Sequence, residues 1–125
     1  PAYTLAAQSA AVYLDQQRTD LSNVVLAVPA GQRTPAFDVQ SEQAHYDMQV
    51  GVFQFMGVRV DTHERPPLQL QTDSLRWQPG DALMQCDGRV SFRVENIRGY
   101  AERALADLRD QHVTLFNGVH AQIRP

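Results

Sequence analysis

The stretch His45 to Asp61, HYDMQVGVFQFMGVRVD, decides how the fold is read. Side chains alternate across a β-strand, so residues of one parity line one face. Met48, Val50, Val52, Met56, Val58 and Val60 share a parity that only Gln54 interrupts. This predicts a long strand, or two strands meeting at a bend, with that face on the core. The opposite parity carries Gln49, Arg59 and Asp61 toward its ends and Phe53 and Phe55 in its middle. Those two rings need cover, either from a second layer of the same chain or from another subunit. Gly51 and Gly57 predict bulges or close backbone approach, devices that curve a sheet.

Downstream, Asp61 to Pro67 (DTHERPP) reads as a charged loop and Leu68-Gln69-Leu70-Gln71 as a further strand. Trp77-Gln78-Pro79-Gly80-Asp81 carries turn chemistry, while Asp87-Gly88 and Asn117-Gly118 offer the positive-φ pairs of tight two-residue hairpins. Such loops fix register. The first sets Gln85 against Val90 and Leu83 against Phe92, placing Leu83, Val90, Phe92 and Val94 on one face. The second sets Phe116 against Val119, Thr114 against Ala121 and His112 against Ile123, giving a core face of Phe116, Val119, Ala121 and Ile123.

Upstream, Asn23 to Val28 (NVVLAV) reads as a short buried strand stopped by Pro29-Ala30-Gly31. Two segments favour helix. Residues 5 to 18 (LAAQSAAVYLDQQR) are rich in Ala, Leu and Gln and lack Gly and Pro. In residues 99 to 110 (GYAERALADLRD), Ala101, Ala104, Leu105 and Leu108 recur at spacings of three and four. The expected fold is mainly β, a small β-barrel or sandwich with two tight hairpins, one short N-terminal helix and one short helix before the C-terminal hairpin. With 125 residues and no repeat or low-complexity tract, it is expected to form a single domain over 1–125.

The net charge of -3 argues against a protein that grips nucleic acid by neutralising phosphates. Every basic residue is an arginine, a bias that a genome of skewed base composition also produces. No apolar run approaches the ~20 residues of a transmembrane helix. The single cysteine, Cys86, makes no internal disulfide and reads as a small strand residue beside a turn. The start Pro1-Ala2-Tyr3-Thr4 lacks the basic patch and apolar run of a signal peptide, and reads as a mature cytoplasmic terminus after loss of an initiator Met.

Two enzymatic arrangements merit weighing. His45-Tyr46-Asp47 with His120 imitates the two-histidine, one-carboxylate triad of non-haem iron oxygenases, with Arg124 as an acid-binding arginine. An HxD triplet arises easily by chance, however, and the C-terminal register aims His120 away from the terminal core face. The same register sends His112 and His120 to opposite faces, which excludes a clamp between them. Pro1 invites comparison with tautomerases that use an N-terminal proline as general base, but the helix after it is too short for that fold. There is no phosphate-cradling glycine loop, nucleophile elbow or CxxC pair. No catalytic, cofactor or metal site is expected.

One segment carries a resemblance. It runs through Gly57-Val58-Arg59-Val60, Leu68-Gln69-Leu70-Gln71-Thr72-Asp73-Ser74-Leu75, Gln78-Pro79-Gly80-Asp81-Ala82-Leu83, Asp87-Gly88 and Val90-Ser91-Phe92-Arg93-Val94. This order resembles the head-completion, or head-tail joining, proteins of long-tailed bacteriophages, the lambdoid stopper group, over about a third of the chain. The resemblance implies a small β-barrel assembled as a homo-oligomeric ring at the head-tail junction, closing the DNA channel and docking the tail. Its partners would be portal or adaptor and tail proteins, with at most passing contact with DNA and none with a membrane. Its place would be the neck of the virion, after synthesis in the host cytoplasm. Phe53 and Phe55, with the loop residues Asp61, His63, Glu64 and Arg65, are then the interface candidates. The segment from residue 99 onward lies outside the motif and leaves a tail-tube, terminator or baseplate role open. From other classes, the alternatives are the two small enzymes above and an immunity or adaptor module that binds one protein partner.

Overall fold

The computed structural model describes residues 3–32, 34–63, 66–110 and 112–124. Nine strands follow one another: β1 (Thr4–Tyr13), β2 (Arg18–Val28), β3 (Phe37–Asp47), β4 (Val52–Thr62), β5 (Leu68–Trp77), β6 (Leu83–Val94), β7 (Ile97–Asp107), β8 (His112–Phe116) and β9 (His120–Ile123). Each strand from β1 to β8 pairs antiparallel with the next, and β9 pairs with β7 beyond β8. Because β1 and β8 do not meet, the sheet stays open and is not a barrel. No helix occurs among the described residues.

Every pairing breaks at the same level. Ser9 pairs with Ser22 and Ala7 with Val24, so Gln8 and Asn23 are skipped. The gap continues through Glu42, Gly57, Asp73, Gly88-Arg89 and Glu102 to the junction of β8 and β9. Positive φ recurs along this line on alternate strands, at Asn23 (49°), Gly57 (63°), Gly88 (88°) and Asn117 (62°). Each faces a polar residue fifteen positions earlier, in the pairs Gln8/Asn23, Glu42/Gly57, Asp73/Gly88 and Glu102/Asn117. The Asn23 amide donates to Gln8 Oε1, Arg89 N donates to Asp73 Oδ2 at 3.3 Å, and Glu102 N donates to the Asn117 carbonyl at 3.1 Å. The chain is therefore a series of four hairpin units, a structural repetition that the sequence hides because only one position per strand encodes it.

The fault line inverts the inward parity of the strands it crosses. On β4 the buried residues are Phe53 and Phe55 before Gly57, then Val58 and Val60 after it. On β5 they are Leu70 and Thr72, then Leu75 and Trp77. The strands also bend there. Phe37 pairs with Thr62 at the end of β4 and Trp77 with Phe53 near its start, points that an extended strand would hold ~30 Å apart at ~3.3 Å per residue. The Phe37 and Trp77 rings nevertheless meet edge to face at 5.7 Å. The sheet is thus folded over along the fault line, and its two halves pack inner face to inner face. Phe55, Leu26, Leu75, Met84, Val39 and Val90 fill the interior.

Several sequence expectations are overturned. Residues 5 to 18 form β1 and the turn into β2 rather than a helix, because pairing with β2 outweighs the helix preference of Ala and Gln. Residues 99 to 110 belong largely to β7. Their apparent helical spacing arises because Ala101 lies before the fault and Ala104 and Ala106 after it, with Leu105 exposed. Asp87-Gly88 makes no hairpin. It is a bulge inside β6, where Gly88-Arg89 stand against single residues on both neighbours. Asn117-Gly118 likewise joins β8 and β9 along the same side of β7, so Phe116, Val119 and Ile123 are exposed instead of forming a core face. Met48 and Val50 lie in the β3–β4 turn, exposed.

Candidate functional site

The space between the two layers is closed unevenly. On the β1 to β5 side, Trp77 is packed by Tyr3 at 5.9 Å, Phe37 at 5.7 Å and Phe53 at 6.3 Å. Its indole Nε1 donates to the Asp81 carbonyl at 2.9 Å, so no polar group is stranded there. Toward β6 to β8 this aromatic cluster ends, and a cavity of about 270 Å³ remains. Thr62, Leu68, Phe92 and Val94 line it from one layer, and Ala106, Leu108, Val113 and Leu115 from the other.

Few polar groups in this lining are left to engage a ligand. Thr62 Oγ1 accepts the Leu68 N–H at 2.9 Å. Asp107 accepts the N–H groups of Arg109 and Asp110 at 3.0 and 3.3 Å, closing its own turn. What faces the cavity is mainly hydrocarbon, a surface that recognises apolar chains by removing them from water. Leu68, Phe92, Val94, Val113 and Leu115 are all only partly buried, so both walls of the cavity lie close to solvent. Gly99, paired with Phe92, makes room for that ring. A Cβ there would come within 2.4 Å of the His120 carbonyl oxygen and 2.8 Å of the Phe92 ring, so a side chain at this position would displace both.

The residues singled out from the sequence do not converge. Phe53 and Phe55 are stacked at 5.2 Å in the chain's own core, covered by the second half of the folded sheet. Asp61 is held by Arg59 at 3.0 Å, and His63 Nε2 lies 2.7 Å from Asp38 Oδ2. Glu64, Arg65 and Pro1 lie outside the described residues. His45 Nδ1 sits 2.6 Å from Asp20 Oδ1, and Asp47 caps a turn by accepting from Gln49 and Val50. His120 is on β9, opposite Tyr100. Among the described residues no three His, Cys, Asp or Glu side chains form a group able to hold a metal. Cys86 is buried in β6, and desolvation, aided by the charge of Asp87, pushes its thiol up to about 12, which removes it as a nucleophile. The cavity residues were visible in sequence only as strand alternation, with nothing to separate them from ordinary core.

An open antiparallel sheet folded about an apolar cleft defines a class with solved members. The chain is similar in fold to LptH of Pseudomonas aeruginosa, described as the LptA-homologous periplasmic component of the conserved lipopolysaccharide transport device. The TM-score is 0.76 at 12% identity, over 99% of this chain and 96% of that one. No curated protein matches it by sequence. The family itself is given by the sequence: the LptC-related lipopolysaccharide-assembly model matches residues 1–124, and the chain belongs to that family.

This membership overturns the phage reading. The segment that resembled a head-tail joining protein is strand-and-turn grammar shared by unrelated β folds, and its Asp87-Gly88 anchor is a bulge. The ring, the portal and tail partners, the virion neck and the host-cytoplasm start fall with it, as do the tail-component and small-enzyme alternatives. The family is one of lipopolysaccharide assembly, and the protein is not an enzyme.

Proposed function

We propose that this chain handles lipopolysaccharide in the periplasm as one component of a transport device, holding acyl chains between the two halves of its folded sheet. The observation that carries the reading is the apolar cavity of about 270 Å³, bounded by Leu68, Phe92, Val94, Val113 and Leu115. Family membership supplies the ligand class, and the fold shared with a periplasmic transport component supports the location. Acyl chains suit such a site because each buried methylene contributes ~0.8 kcal/mol without any directed bond. That permits binding that is firm yet releasable by a small widening of the walls.

The whole chain acts as a single sandwich-like domain in this proposal. Its two outer edges, β1 on one side and β8 with β9 on the other, present unpaired backbone groups suited to strand addition by neighbouring components. The test is direct binding of purified lipopolysaccharide to the purified chain, followed by light scattering and displacement of a fluorescent acyl probe. Saturable binding that displaces the probe supports the reading. Failure to displace it overturns the cavity as the site.

A further inference from the structure

We infer that the outer face of strands β5, β6, β7 and β9 is a second site, which takes a phosphorylated saccharide. Arg93 on β6 stands directly opposite Arg98 on β7. Like charges in that position repel, and among the described residues neither arginine forms an ion pair. The row continues as Gln69 beside Arg93 and Gln122 beside Arg98, so two guanidinium forks are flanked by two amides with no carboxylate between them. Asp61, the acid next along the row, is already held by Arg59. Two residues further along the strands, Ser91, Tyr100 and His120 form a second row. The Tyr100 and His120 rings stack at 4.9 Å, and the Arg89 guanidinium lies 5.0 Å from the Tyr100 centroid. The two arginines, the two amides and the row of Ser91, Tyr100 and His120 line a groove of about 460 Å³, with Arg89 beyond its rim.

The chemistry is selective. Paired guanidinium forks match phosphate oxygens, which would also relieve their mutual repulsion. Amide, hydroxyl and phenol groups both donate and accept, as sugar hydroxyls do. A net charge of -3 disfavours nucleic acid, whose binding is driven by neutralising many phosphates. The inference rests on the lipopolysaccharide reading for its ligand, a phosphorylated saccharide that carries acyl chains. It adds that the saccharide is read on the reverse of the strands whose inner residues Leu68, Phe92 and Val94 line the cavity.

The experiment uses the full chain with three probes, measured by calorimetry at low salt: deacylated lipopolysaccharide, the same saccharide after phosphatase treatment, and intact lipopolysaccharide. The wild type is expected to bind the first and to lose it on phosphatase treatment. Arg93→Gln with Arg98→Gln should weaken that binding at least tenfold while leaving acyl-probe displacement by intact lipopolysaccharide in place. The double variant should melt no lower than the wild type, since a repulsive pair is removed. Equal binding of the deacylated probe by wild type and double variant overturns the site, as does equal binding of a short DNA duplex. Intact lipopolysaccharide binding without any binding of the deacylated form overturns this inference alone. Failure of both overturns the lipopolysaccharide reading as well.

Discussion

Filling the cavity from within gives a quantitative prediction. Ala106 is 3% exposed and its side chain forms part of the cavity wall. A space of about 270 Å³ holds roughly nine methylene-sized groups if each takes about the ~30 Å³ share of a water molecule. At ~0.8 kcal/mol each, burying them contributes about 7 kcal/mol before the costs of ordering the chain. In Ala106→Phe a ring occupies close to half of this room and displaces about four methylenes, a loss of about 3 kcal/mol, or ~100-fold in affinity. Overpacking costs stability, typically ~1–3 kcal/mol, but here the ring enters space that is already empty, so the variant should melt within a few degrees of the wild type. Competition between lipopolysaccharide and a fluorescent fatty-acid probe measures the affinity, with circular dichroism reporting the fold. A folded Ala106→Phe that binds within threefold of the wild type would refute the cavity as the acyl site.

Gly57→Ala places a side chain at φ 63° with its Cβ 2.9 Å from the Glu42 carboxyl carbon. The flexible Glu42 can move, so the cost is the left-handed backbone, ~1–2 kcal/mol in denaturant unfolding; an unchanged midpoint would contradict the role given to the fault line. Gly99→Ala should push Phe92 off β7 and loosen β9, seen as faster amide exchange from His120 to Ile123 while β3 and β4 stay protected. The Cys86 thiol ionises near its ordinary 9.0 in the unfolded chain and near 12 in the folded one. Unfolding therefore releases a proton between those values, so stability from this group is intact below pH 9 and is lost as pH rises toward 12, by up to ~1.4 kcal/mol per unit. Cys86→Ala should lose less stability than the wild type between pH 8 and pH 10 in urea titrations, and identical losses would contradict the shift.

The strand character of 45 to 61 was legible because alternation is a local signal, but its phase was not. Counting a single parity through Gly57 put Phe53 and Phe55 outside, whereas one positive φ moves the inward positions from odd to even. The same slip at Glu102 made a strand imitate the three-and-four spacing of a helix, with Ala101 and Ala104 three apart on one face. Asp87-Gly88 and Asn117-Gly118 were read as hairpin turns; positive φ does fall at Gly88, Asn117 and Gly118, though not at Asp87, and dipeptide chemistry does not distinguish a turn from a bulge. β1 was illegible for a different reason. Both of its faces are largely exposed, so no burial pattern marks it, and only the register with β2 holds it extended. The cavity was hidden because Leu68, Phe92 and Val94 alternate just as fully packed residues do, and what sets them apart is the distance between two layers that meet only when the sheet folds.

The central claim is that lipopolysaccharide acyl chains occupy the space between the layers. Site-specific photo-crosslinking in lipopolysaccharide-producing cells tests it most directly, with a photoreactive phenylalanine analogue at Phe92 or Leu115 facing the cavity and at Gln85 or Arg76 on the outer surface. The account predicts a lipopolysaccharide adduct at the first two positions and none at the second two. Adducts only at the outer positions, or equally at all four, would contradict it.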